Sequence, residues 1–157
     1  MKRKVSVLRR MFIKSTIITE VALILMIGFT AAPAFSQKNP IRMGSHSFSI
    51  QWISFNKANA GAVMIKPLGR GKYSIEGEQR DKRKNDYVTI KGSFEVAGSQ
   101  LYFNGKIVSR VSYINNGKPC ESNGPSVFNA SGKRKYWRLQ QMLNCDGIST
   151  DYIDIFF

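Results

Sequence analysis

The chain is 157 residues long, enough for one domain, and its 24 Lys and Arg against 10 Asp and Glu give a formal charge of +14. It holds one histidine, which excludes a multi-histidine metal centre. No stretch carries a nucleophile elbow or a phosphate loop, so the expected work is binding, with no cofactor and no catalysis.

Residues 1–16 hold six basic side chains and no acid, and Val21–Phe29 is a short apolar run. Ala34-Phe35-Ser36 puts small residues three before and one before a cut at Gln37. This three-part build predicts a cleaved export signal over residues 1–36, with a single domain over 37–157. A membrane anchor is the competing reading. Its run is shorter than the ~20 apolar residues a span needs, and Glu20 cuts into it. Leu8-Arg9-Arg10-Met11-Phe12-Ile13-Lys14 resembles the twin-arginine export motif, S/T-R-R-x-F-L-K. Arg9, Arg10, Phe12 and Lys14 match, Ile13 stands for Leu, and Leu8 departs from the hydroxyl residue. The resemblance covers the leader alone and implies a bacterial protein exported already folded. An ordinary secretory leader is the alternative, and both predict a periplasmic or secreted protein.

Removing residues 1–36 takes six of the 24 basic residues and one of the ten acidic ones, leaving 18 against nine, a net of +9. That balance favours anionic partners such as lipid headgroups or cell-wall polymers; solubility alone is the bland alternative. Both cysteines, Cys120 and Cys145, remain. In an exported protein they predict one disulfide, a cross-link that stabilises by about 3 kcal/mol. After folded export it would close outside the cytoplasm.

In chain order, Gln37–Ser45 reads as a linker. Ser47–Phe55 reads as a strand whose alternation slips at Trp52–Ile53, a bulge signal. Ala62–Lys66 is a short strand ended by Pro67, and Gly69–Gly71 is a turn. Lys72–Gln79 is a third strand and Arg80–Asn85 a charged loop. Asp86–Ile114 is the clearest stretch: two alternating strands about a turn at Ala97–Gln100, with Val88, Ile90, Phe94 and Val96, then Leu101, Phe103, Ile107, Val111 and Tyr113, on the dry face. Asn115–Pro125, rich in Asn, Gly and Pro, reads as a long loop holding Cys120. Ser126–Ala130 is a sixth strand and Ser131–Lys135 a basic turn. Tyr136–Leu143 reads as strand or short helix, Asn144–Gly147 as a tight turn, and Ile148–Phe157 as the last strand.

Many short strands and frequent turns predict an all-β fold, best a small antiparallel up-and-down barrel of about eight strands, lipocalin-like in architecture; a β-sandwich is the alternative. Gly71-x-Tyr73 is similar to the Gly-x-aromatic of lipocalin-like barrels, but it spans three residues and assigns no family. Alternate loops of a meander share an end. The long loops, with both cysteines, would therefore gather at one mouth. The closing Ile153–Phe157 resembles the last strand of outer-membrane barrels, yet several strands are shorter than the ~9–11 residues a span needs, so no membrane span is expected after residue 36.

Two sets of binding residues follow. Such a barrel holds one small ligand or is filled by side chains. Trp52, Tyr73, Phe94 and Phe103 would line an apolar cavity reached from the long-loop mouth. Alternatively Lys82, Arg83, Lys84, Lys133, Arg134 and Lys135 would hold an anionic envelope component without a pocket. These two clusters fall at opposite ends, which disfavours nucleic acid. The acids Glu76, Glu78, Asp81 and Asp86 lie among Arg80 and Lys82–Lys84 and read as salt-linked surface charges. His46, ahead of the first strand, reads as exposed.

Overall fold

In the computed structural model, residues 41–157 are described. The predicted export signal and the first four residues of the linker lie outside them. Eight strands form one closed antiparallel barrel in sequence order: β1 (Gly44–Ile50), β2 (Gly61–Gly69), β3 (Lys72–Asp81), β4 (Asp86–Ala97), β5 (Gln100–Arg110), β6 (Cys120–Asn129), β7 (Tyr136–Leu139) and β8 (Ile153–Phe156). The ring closes where β8 returns to β1, at Phe48↔Ile155, Ser49↔Asp154 and Ile50↔Ile153. Gln37–Phe157 form a compact unit of their own, and its core is built entirely from these strands and Ile41.

Inward and outward residues alternate, as a strand with one dry face requires. Phe48, Phe94, Phe103 and Phe128 fill the interior, with Ile50, Ile65, Ile75, Ile90, Leu101 and Ile155 packed around them, all fully buried. The outer wall carries Glu76, Glu78, Lys91, Lys106 and Glu121, joined in ion pairs such as Lys91–Glu76 at 2.8 Å. Apolar inside and charged outside is the reverse of a membrane-spanning barrel.

The predicted hairpin forms with its predicted turn. Ala97 pairs with Gln100, and Gly98 takes a φ of +61° in the two-residue loop between them, which a glycine tolerates best. Two inward glycines on β4 and β5, Gly92 and Gly105, face each other across the ladder. An added Cβ on Gly105 would lie 2.3 Å from the Lys91 carbonyl oxygen and 2.7 Å from Phe103 Cζ. Phe103 therefore lies folded onto bare backbone, and the wall approaches itself more closely than any side chain allows.

Several boundaries differ from the sequence reading. β1 starts at Gly44 and ends at Ile50, so Trp52 and Ile53 lie in a turn; the slipped alternation marks the end of the strand and not a bulge. His46 sits within β1 and is buried, not exposed. Pairing of β2 runs on past Pro67 to Gly69↔Lys72, with the irregularity at Leu68. β6 begins at Cys120, so most of the expected Asn115–Pro125 loop is strand. β7 is a short strand, not a helix, and β8 begins only at Ile153. The segment between them, residues 140–152, is irregular and runs beside β6. The Gln140 N–H donates to the Val127 carbonyl at 2.8 Å, and the Val127 N–H donates to Gln141 Oε1 at 2.9 Å. The disulfide Cys120–Cys145 then pins this segment at the start of β6. It covers an edge that β7, meeting β6 only at Phe128 and Asn129, leaves free.

Candidate functional site

The predicted aromatic set does not surround an open space. Tyr73 stacks on Phe94 with ring centroids 5.3 Å apart, and Phe103 meets Phe128 edge-on at 6.1 Å. Tyr73, Phe94 and Phe103 are the barrel's filling. Trp52 stands apart from them, in the turn after β1 at the long-loop end.

That end is shut by polar side chains. The Trp52 indole N–H donates to Asp151 Oδ1 at 2.8 Å, while Ser109 Oγ and Asn144 Nδ2 donate to Oδ2 at 2.9 and 2.8 Å. Asp151, Ser109 and Asn144 are all buried, and three donors replace the water that such a carboxylate gives up. Gln79 closes the adjoining corner. Its Oε1 accepts the Ile50 N–H at 2.8 Å and its Nε2 donates to the Asn59 carbonyl at 2.9 Å. From the sequence neither residue has a role: Asp151 and Asp154 fall on opposite faces of the expected last strand and do not pair, and a single Gln carries no spacing signal.

Two hollows lie on the outer wall instead. One, of about 800 Å³, spans the bend at Gly77, Gly105 and Gly124 and is edged by the Glu76–Lys91 ion pair. The other, of about 620 Å³, lies between Lys72, Tyr102 and Gln141. Both are shallow and open, and mixed charges line the first.

The two basic clusters do fall at opposite ends. Lys82, Arg83 and Lys84 occupy the β3–β4 loop at the long-loop end, all exposed. Asp81 lies 3.9 Å from Arg83 there. Asp146 is at the same end, in the 144–149 turn. Its carboxylate accepts from Ser149 Oγ at 2.6 Å and from the backbone N–H groups of Ser149 and Ile148 at 2.8 and 2.9 Å. Those bonds, the Ser149 hydroxyl first, hold Asp146 down at about 2 from an ordinary 3.8. A depressed carboxylate contributes stability that is complete above its unfolded value and lost as pH falls through its folded one. The thermal midpoint should therefore drop between about pH 4 and pH 2, and Asp146→Asn should flatten that acid limb. Superimposable curves for the two proteins would show that the turn is not held this way.

Lys133, Arg134 and Lys135 occupy the β6–β7 loop at the short-turn end, and here the fold adds three cations that sequence reading missed: Arg42, Lys66 and Arg70, all exposed. They are scattered singly along the chain, so a search for charge runs passes over them. Closure of the barrel brings them beside the loop. The Phe157 N–H donates to the Lys135 carbonyl at 3.1 Å. One step round, the ring of the buried His46 joins β8 to the start of the barrel: its Nδ1 lies 2.7 Å from the Phe156 carbonyl oxygen and its Nε2 2.7 Å from that of Arg42. β1 then pairs with β2 at Gly44↔Ile65, next to Lys66, and Arg70 tops the β2–β3 turn. None of these six cations is paired with a carboxylate among the described residues. The two carboxylates on the strands reaching this end are already taken: Glu95 by Lys72 at 3.2 Å and Asp154 by Arg138 at 2.7 Å.

Comparison with known proteins gives a family and no activity. The PM1083 family matches residues 36–157. The chain is 40% identical over 117 residues to the "Uncharacterized protein PM1083" of Pasteurella multocida (strain Pm70), covering 73% of this chain and 72% of that protein. No solved structure matches the chain.

Proposed function

The chain belongs to the PM1083 family, and we propose that it is an exported, non-catalytic barrel that binds an anionic component of the bacterial envelope with its outer surface. The observation that carries this is the contrast between the barrel's filled interior and its short-turn end. The inside is occupied by Phe48, Phe94, Phe103 and Phe128, whereas one end presents six cations with no carboxylate partner among the described residues. Opposite charge on the partner is what such an end attracts.

Export is supported by the leader read from residues 1–36 and by the Cys120–Cys145 disulfide, a bond that persists in oxidising compartments. The absence of catalysis is supported by His46, both of whose ring nitrogens lie against carbonyl oxygens and face no open site. The test is retention of the purified barrel on isolated envelope as a function of NaCl. Retention at low ionic strength that is abolished by moderate salt is expected, because exposed charges are screened over ~8 Å at physiological ionic strength. Absence of retention, or retention indifferent to salt, would overturn the reading.

A further inference from the structure

We infer that the short-turn end of the barrel is a docking face for the surface of an anionic phospholipid bilayer. This rests on the envelope-binding reading and names its partner.

Charge alone fits any polyanion. What selects a bilayer is the apolar surface set among the cations. Met43 follows Arg42 and is 38% exposed; Leu68 lies between Lys66 and Arg70 and is 59% exposed; Phe157 adjoins Lys135 and is 46% exposed. These three occupy separate chain segments: Met43 just before β1, Leu68 at the end of β2 and Phe157 just after β8. Phe157 also rests its ring on the buried Trp137, centroids 4.3 Å apart, so the freest apolar tips are those of Met43 and Leu68. Along an anionic polysaccharide or a nucleic acid, exposed Met and Leu tips gain little. At a bilayer surface, phosphate headgroups meet the cations while apolar tips enter the boundary between headgroups and acyl chains. Closing the ring makes the face continuous: β7, β8, β1, β2 and β3 are consecutive neighbours. The long-loop end exposes more apolar surface, with Phe55 at 60%, Tyr113 at 59%, Leu143 at 68% and Ile148 at 86%. There, however, Asp81 and Asp146 sit among the cations, so an anionic surface is attracted less.

The experiment uses the disulfide-intact barrel, Gln37–Phe157, and sedimentation with vesicles of mixed phosphatidylglycerol and phosphatidylcholine. Leaving out residues 1–36 removes their apolar run from the measurement, and the barrel's core is self-contained. Each cation near such a surface is worth about five-fold in partitioning. The triple variant Lys133→Ser/Arg134→Ser/Lys135→Ser should then bind on the order of 100-fold more weakly. The triple variant Lys82→Ser/Arg83→Ser/Lys84→Ser removes the same charge from the other end and should change binding by less than about five-fold. Met43→Ser/Leu68→Ser leaves the charge intact and should still weaken binding. All of these positions are exposed, and an unchanged thermal midpoint verifies that each variant is folded. Equal loss from the two triple variants, or no loss from Met43→Ser/Leu68→Ser, would overturn the docking face. Binding to soluble dextran sulfate but not to vesicles would also overturn it, while leaving the envelope-binding reading in place. Failure to bind either would overturn both.

Discussion

Gly105→Ala is expected to destabilise the barrel by more than about 4 kcal/mol, the range in which substitutions act through backbone that cannot relax. The new methyl carbon would sit 2.3 Å from the Lys91 carbonyl oxygen, 2.6 Å from Gly92 Cα and 2.7 Å from Phe103 Cζ. Phe103 could turn aside, but it is buried at 2% exposure, and moving it would crowd Phe128, which it meets at 6.1 Å. The other two neighbours are backbone of the adjoining strand and cannot move without breaking the Gly92↔Gly105 register. Gly98→Ala is the control. It too replaces a barrel glycine, at a φ of +61°, but with nothing within 4 Å. That variant should lose only the roughly 1–2 kcal/mol of left-handed backbone strain. Urea unfolding followed by tryptophan fluorescence separates the two. A Gly105→Ala protein within about 1 kcal/mol of the parent would mean that the strands at this bend can part.

The second large effect is expected at the thinnest part of the ring. β7 and β8 are four residues each, and they pair through Tyr136↔Phe156, Trp137↔Ile155 and Arg138↔Asp154. Across the last pair the Arg138 guanidinium binds both carboxylate oxygens, Nε to Oδ1 at 2.8 Å and Nη2 to Oδ2 at 2.7 Å. Tyr152 and Tyr136 flank the cation at 4.4 and 5.1 Å. Asp154 is 1% exposed, so Arg138→Leu would strand a carboxylate away from water, at a cost of about 3–5 kcal/mol. Removing both charges is different. Arg138→Leu/Asp154→Leu should recover most of the loss, because an apolar pair of similar size often matches a buried ion pair. Chemical denaturation of the two singles and the double gives the cycle. A double variant no better than Arg138→Leu would assign the loss to packing against the tyrosines instead.

The parts of this fold legible in the sequence are those where local pattern and tertiary pairing agree. Asp86–Arg110 alternates, and both strands pair along it; the expected strand stops four residues short of Ile114, where Tyr113 turns outward to 59% exposure. The barrel architecture and the placing of the loops at two ends follow from the same alternation. Legibility fails where a neighbour overrides local preference. Cys120–Pro125 has the composition of a loop, yet it is strand because β5 lies alongside it from Ser109↔Cys120 to Asn104↔Pro125. A proline is tolerated there because β7 does not reach that part of β6. Ile148–Tyr152 looks like strand by alternation, but its Asp151 side chain is drawn into the plug with Trp52, Ser109 and Asn144. Of the cations at the short-turn end, Lys133–Lys135 form a run and are visible as one. Arg42, Lys66 and Arg70 join them only because β8 closes on β1, a pairing between the two extremes of the domain that no local window contains.

That closing pair also fixes when the molecule can become whole. β1 is the first strand to be synthesised and β8 the last, and they are hydrogen-bonded neighbours. Without β8, strands β1 to β7 would leave two bare edges, one of them β1 itself. Such edges recruit other chains, and a contact this distant in sequence is slow to form. Those edges stay open until four residues, Ile153–Phe156, dock in the gap beside Phe48. Any factor that shields β1 during that interval would raise the yield of folded protein without altering the stability of the finished ring.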